Sequence, residues 1–139
     1  MLYSHLARVL RKDDTEVIMI NMQMALNDFL EGLYADEVKK TVLLARANGE
    51  TLEEVGRKLG VTKEFVRQVE AKITRKFAMS HGGRKIRENL VALCTSGAAQ
   101  SPEDLKAYFG EHCAELAYLL HLYKESFFYS GELQIDIPF

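Results

Sequence analysis

The chain has 139 residues, 47% of them hydrophobic and 27% charged, and a formal net charge of -2. That length supports one domain or two small ones with a core that needs no metal or disulfide staple. No apolar run approaches the roughly 18 residues of a membrane helix, and the two cysteines, Cys94 and Cys113, form no C-x-x-C pair, which excludes a membrane-spanning protein and a disulfide scaffold.

Met1 to Leu10 lack a signal-peptide core and cleavage site, so a soluble, cytoplasmic protein with two reduced, buried thiols is expected. Two prolines, with Leu, Ala, Glu and Lys abundant, favour helices, and the expected fold is all-α. The charge is unevenly distributed. From Arg57 to Arg87 there are ten Lys/Arg and two acids, Glu64 and Glu70, while the other 108 residues carry eight Lys/Arg and eighteen Asp/Glu. A stripe of +8 therefore lies on a chain otherwise at -10. Such a stripe suits a polyanion.

In chain order, Leu2, Leu6, Val9 and Leu10 fall on one side of a short helix, which Arg11-Lys-Asp-Asp14 interrupts. Asp14 or Thr15 then caps a helix running to about Leu30, with Val17, Ile18, Ile20, Met24, Leu26 and Leu30 as its apolar residues and Gly32 as its end. Met19, Met22 and Met24 make it Met-rich, as gap-filling core or as an adaptable binding surface. Asp36 starts a helix through Ala47, stopped by Asn48-Gly49. Thr51 and Glu54 form a capping box for a helix over Leu52 to Leu59, Gly60 breaks it, and Thr62 caps a helix of about fifteen residues.

Gly82-Gly83 reads as a break, followed by a helix from about Arg84 to Leu93 and a linker over Thr95 to Gln100. Ser101-Pro102 with Glu103 and Asp104 starts another helix. From Leu105 to Tyr129 the chain is helical, with a bend at Gly110 and an apolar face of Leu116, Leu119, Leu120, Tyr123, Phe127 and Phe128. Leu133 to Phe139 alternates as a strand does, giving a short extended tail. Three units are expected: an N-terminal helical segment over 1–33, a helix-turn-helix domain over 34–93, and a C-terminal helical segment with its tail over 94–139.

Residues 51–77 have the spacing of a helix-turn-helix. Val55, Gly56 and Leu59 of the first helix meet the second, and Gly56 permits close approach. Gly60 supplies the turn, Val61 fills the corner, and Val66, Val69, Ile73 and Phe77 point inward at spacings of three, four and four. Opposite them lie Lys63, Glu64, Arg67, Gln68, Ala71 and Arg75. These types suit a helix in the major groove of DNA: Gln pairs with adenine, Glu accepts from cytosine, Lys donates to guanine, and Arg suits a base edge or a phosphate. An acid such as Glu64 at the centre of a DNA face is costly unless it reads a base or orients a basic neighbour.

Thr51-Leu-Glu-Glu-Val-Gly56, followed by Leu59-Gly-Val-Thr-Lys-Glu-Phe-Val-Arg-Gln-Val-Glu-Ala-Lys-Ile-Thr-Arg-Lys-Phe77, resembles the fourth conserved region of primary bacterial sigma factors. The resemblance is strongest over 51–77 and extends over 36–47 and through Arg84-Lys-Ile-Arg87. It implies recognition of a minus-thirty-five promoter element, contact with a flexible flap of RNA polymerase core, and contact with activators. Carried over by position, Lys63, Glu64, Arg67 and Gln68 would read bases. Thr51 would bind phosphate through its hydroxyl and amide at a helix N-terminus. Lys72, Arg75 and Lys76, with Arg84 and Lys85, would contact the DNA backbone.

This chain departs from the family in having Lys63 for the usual Arg, which loses a bidentate fork, Phe65 for a usual basic residue, and no proline in the link after Met79. Nothing in it resembles the family's region that melts the downstream promoter element.

The implied function is a sequence-specific DNA-binding transcription factor whose N- and C-terminal helices offer a homodimer, polymerase or regulator contact. The alternative is an interaction protein that uses the same fold on polymerase or a regulator, with weak or no specific DNA binding. An enzyme is not expected. His5, His81, His112 and His121 are scattered, the His112–Glu115 and Glu111–Glu115 pairs are incomplete for a metal, and His121–Glu125 reads as a surface pair. No cofactor or metal is expected.

Overall fold

The computed structural model describes residues 12–97, 99 and 101–127. Seven α-helices follow one another among the described residues: α1 Lys12–Tyr34, α2 Glu37–Ala47, α3 Leu52–Leu59, α4 Lys63–Met79, α5 His81–Thr95, α6 Pro102–Phe109 and α7 Cys113–Phe127. A 3-10 turn, Gly110–His112, separates the last two, and there is no strand among the described residues. The architecture is all-α. The short helix expected over Leu2 to Leu10 and the extended tail over Leu133 to Phe139 lie outside the described residues, as does Phe128.

Local chemistry sets most helix ends. Asp36 accepts from the amides of Val38 and Lys39 at 3.0 and 3.2 Å, starting α2. The Thr51 hydroxyl accepts from the Glu54 amide at 3.1 Å while Glu54 accepts from the Thr51 amide at 3.3 Å, so both arms of the capping box form at α3. Gly60 closes α3 at φ 72°, a left-handed conformation that a Cβ would oppose. Thr62 then caps α4 through the Phe65 amide at 3.1 Å, and Ser101 caps α6 ahead of Pro102 through the Asp104 amide at 3.2 Å.

Four elements differ from the sequence expectation. Helix α1 starts at Lys12 and runs through Gly32 to Tyr34. Burial of Leu30 and Leu33 and a bond from the Tyr34 hydroxyl to Glu115 (3.3 Å) hold its last turns, against a glycine cost of about 1 kcal/mol in a helix. Its core face is Met22, Leu26, Phe29, Leu30 and Leu33, whereas Val17, Ile20 and Met24 are 56, 51 and 59% exposed. The helix is apolar on several sides, and packing on α5 selects which side is buried.

Gly82 and Gly83 do not break the chain. They form the first turn of α5, which Ser80 caps by accepting from the Gly83 amide at 3.0 Å. The bend at Gly110 is a full interruption, because its φ of 53° and ψ of -123° end α6. The segment read as a linker is tied down: the Ser96 hydroxyl donates to the Leu93 carbonyl (2.9 Å), the Ala99 amide donates to it at 3.3 Å, and Ala99 is buried.

The core is continuous from α1 to α7. Helix α1 lies along α5, α4 packs on α2, α3, α5 and α7, and α7 also packs on α2. Phe77, fully buried, meets the Phe29 ring edge-on at 5.6 Å and the Tyr123 ring at 6.0 Å. The buried Arg87 guanidinium lies 4.6 Å from the Tyr123 ring centre and 5.7 Å from that of Phe77, and it donates to the Phe77 carbonyl at the end of α4. Leu116, Leu119, Leu120 and Tyr123 supply the buried face of α7.

Candidate nucleic-acid interface

Helix α4 has two chemically opposite faces. Val66, Val69, Ile73 and Phe77 are buried, with Val55 and Gly56 of α3 beneath them. The Val61 amide donates to the Gly56 carbonyl at 2.8 Å, and a Cβ added to Gly56 would stand 2.7 Å from the Val61 carbonyl oxygen. That contact draws the turn tightly over α3 and fixes the direction in which α4 leaves it. Lys63, Glu64, Arg67, Gln68, Ala71, Lys72 and Arg75 are all exposed. The four residues expected to read bases are therefore gathered on the open face of the first two turns of α4. Ala71, following them, keeps that face low.

Two of these four are engaged with each other. Arg67 donates to Glu64 through Nε at 2.8 Å and through Nη2 at 2.6 Å. These bonds hold the Glu64 carboxyl below the ordinary carboxylate range and push the Arg67 guanidinium higher still. Such an exposed pair adds little to stability. Its effect is geometric: the two bonds fix the guanidinium plane and leave Nη1 pointing away from the carboxylate. Lys63 lies 3.9 Å from Glu53 of α3, both side chains exposed.

The residues expected on the DNA backbone are more dispersed. Thr51 is exposed, but its amide already serves Glu54 within the capping box, so a phosphate there must displace that carboxylate. Lys72 and Arg75 continue the open face of α4. Lys76 is half-buried and leans over the Phe29 ring of α1, its Nζ 5.9 Å from the ring centre. Arg84 is exposed on α5 and lies 3.6 Å from Glu88. Lys85, also on α5, borders a shallow groove with His81 and with Met24 and Asp28 of α1.

A second group was not singled out in the sequence. Glu70 is buried on the flank of α4, and its Oε2 accepts from Arg46 Nε of α2 at 2.6 Å and from the Tyr118 hydroxyl of α7. Arg46 Nε also donates to the Tyr118 oxygen (3.1 Å), its Nη1 donates to the Glu50 carbonyl (2.8 Å), and its guanidinium lies 5.5 Å from the Tyr118 ring centre. Burial and the Glu70 carboxylate push the Tyr118 hydroxyl far above its usual titration range. The available signal was Glu70's place four residues after Val66 and three before Ile73, spacings that put it on the buried side of α4.

The remaining titratable residues do not converge. His112 Nδ1 lies 2.9 Å from Glu115, and exposed His121 lies 3.3 Å from exposed Glu125. Among the described residues no three His, Cys, Asp or Glu are grouped to hold a metal ion. Cys94 and Cys113 are free and half-buried rather than fully buried, and burial pushes the Cys94 thiol up to about 11. No helix among the described residues is long and apolar enough to cross a membrane. No protein-family model, curated protein or solved structure matches the chain.

Proposed function

We propose that the chain is a sequence-specific DNA-binding transcription factor in which α3 and α4 act as a helix-turn-helix, similar to region four of sigma factors. It would bind a minus-thirty-five-like promoter element and contact RNA polymerase core. One observation carries this reading: Lys63, Glu64, Arg67 and Gln68 are exposed together on α4, directly opposite the buried Val66, Val69, Ile73 and Phe77. A helix with that division presents hydrogen-bonding side chains to base edges while its other side is held by the fold. The basic residues beyond them, Lys72 and Arg75, suit the flanking phosphates.

Fluorescence anisotropy tests the proposal with a duplex bearing a sigma-type upstream hexamer and a scrambled duplex, each with and without polymerase core at fixed salt. Preference by the protein alone means an autonomous factor, and preference only with polymerase means a sigma-like subunit. Replacing Gln68 with Ala weakens binding at one base pair by about 1–3 kcal/mol. Equal loss on every sequence removes Gln68 as a base reader. Replacing Arg75 with Ala weakens binding to any duplex and lowers the slope of log affinity against log salt by about one. An unchanged slope removes Arg75 from the backbone contact.

A second reading draws on Phe65, which is 43% exposed on α4 where the family has a basic residue. An aromatic ring in that position suits a protein surface. In that case the chain is an interaction protein on polymerase or a regulator, and the anisotropy series shows polymerase binding with no preference between the duplexes.

A further inference from the structure

We infer that Tyr118 of α7 and Arg46 of α2 are positioning residues for the reading face of α4, acting through Glu70. The inference rests on the DNA-binding reading above for its consequence, but not for the coupling itself. The apolar anchors of α4 hold it against the core through contacts that are individually non-directional. Hydrogen bonds to an ionised carboxylate are directional and strong.

Glu70 supplies that constraint from the flank of the helix. Its Oε2 is held by Arg46 at 2.6 Å and by the Tyr118 hydroxyl. Arg46 is itself pinned by the Glu50 carbonyl at 2.8 Å, on the connection that leads into α3. One carboxylate thus ties the azimuth of α4 to α2, α3 and α7, beside the bond from Arg87 of α5 to the Phe77 carbonyl. The reading residues Arg67 and Gln68 are three and two positions before Glu70 on the same rigid rod. A rotation of about 15° moves a side-chain tip some 5–6 Å from the helix axis by about 1.5 Å. Productive contacts tolerate far less than that. Phosphate contacts from long Lys and Arg side chains tolerate more. Loss of the Tyr118 hydroxyl should therefore reduce discrimination between sequences before it reduces attraction to duplex DNA. The Tyr118 ring is half-buried, so α7 offers an outside handle on the reading face.

The test uses the full chain with Tyr118→Phe, with Arg46→Lys as a second variant and Tyr34→Phe as control. Tyr34 bonds to Glu115 and makes no hydrogen bond to Glu70. Two readouts are taken. The first is the side-chain resonances of Gln68 (amide) and Arg67 (Nε–H) in heteronuclear NMR without DNA. Both should shift in Tyr118→Phe and in Arg46→Lys, and neither in Tyr34→Phe. Unmoved resonances in both variants overturn the inference, whatever the protein binds.

The second readout is affinity for the hexamer and scrambled duplexes. Tyr118→Phe should lower the ratio of the two affinities about fivefold, with the scrambled affinity and salt slope unchanged. Equal loss on both duplexes also overturns it, since a shortage of folded protein acts on both alike. If wild-type protein has no preference, the DNA-binding reading fails, and the resonances alone decide whether Tyr118 and Arg46 set the position of α4.

Discussion

Replacing Phe77 with Ala is expected to destabilise the protein by about 3–5 kcal/mol, the range for deleting a fully buried aromatic ring whose site cannot collapse. Phe77 is 0% exposed and lies where three helices from outside the α3–α4 pair meet the end of α4. Its ring is flanked edge-on by Phe29 of α1 and Tyr123 of α7, and the Arg87 guanidinium of α5 lies 5.7 Å from its centre. Each of those neighbours is anchored on a different helix, so none can move into the vacated space without dragging its own helix. Arg87 would in addition lose one aromatic face beside a buried charge. Urea denaturation followed by circular dichroism measures the effect as a fall in midpoint at unchanged slope. A loss below about 1 kcal/mol would mean that α1 and α7 do not pack on α4 as described.

Gly83→Val is expected to be the other most damaging single change, through excess volume instead of a cavity. A Cβ built at Gly83 stands 1.9 Å from the Phe77 carbonyl oxygen and 2.7 Å from its carbonyl carbon. Both are backbone atoms, so no side chain can swing away to make room. The corner between α4 and α5 must open, which breaks the Ser80 cap and displaces Arg87 from the Phe77 carbonyl. Overpacking typically costs 1–3 kcal/mol, and an obstruction by backbone lies at or above about 3 kcal/mol. The same urea titration measures it, with Gly82→Ala as the comparison. A Cβ at Gly82 meets only the Phe29 ring, at 3.9 Å, so that variant should stay within about 1 kcal/mol of wild type.

The pair Gly82-Gly83 also shows where sequence reading ends. Adjacent glycines resemble a loop because their backbone entropy disfavours a helix. Here one of them is required by a contact with a residue six positions earlier, and only the packed corner reveals it. The helix starts at Asp36, Thr51, Thr62 and Ser101 were legible, because a capping side chain acts within three residues of itself. The division of α4 into buried valines and exposed polar residues was legible for the same reason, since one period governs it. The buried face of α1 was not: Val17, Ile20 and Met24 are as apolar as Met22 and Leu26, and α5 decides between them. Nor was the link from Glu70 to Tyr118, separated by 48 residues and joined only by the fold.

Four of the ten cations between Arg57 and Arg87 stand beside carboxylates. Lys58 lies 2.9 Å from Glu50, Lys63 3.9 Å from Glu53, Arg67 2.6 Å from Glu64 and Arg84 3.6 Å from Glu88. These carboxylates act as tethered counterions. A basic residue that leaves one of them for a phosphate exchanges one anion for another, whereas a bare cation gains a partner outright. In the DNA-binding reading, random duplex offers such residues little advantage over their own acids, while a correct base edge offers a hydrogen-bond geometry that the acids cannot. In the DNA-binding reading proposed above, neutralisation at these four positions restrains indiscriminate adhesion to nucleic acid, and the sequence-independent attraction falls to the other basic residues.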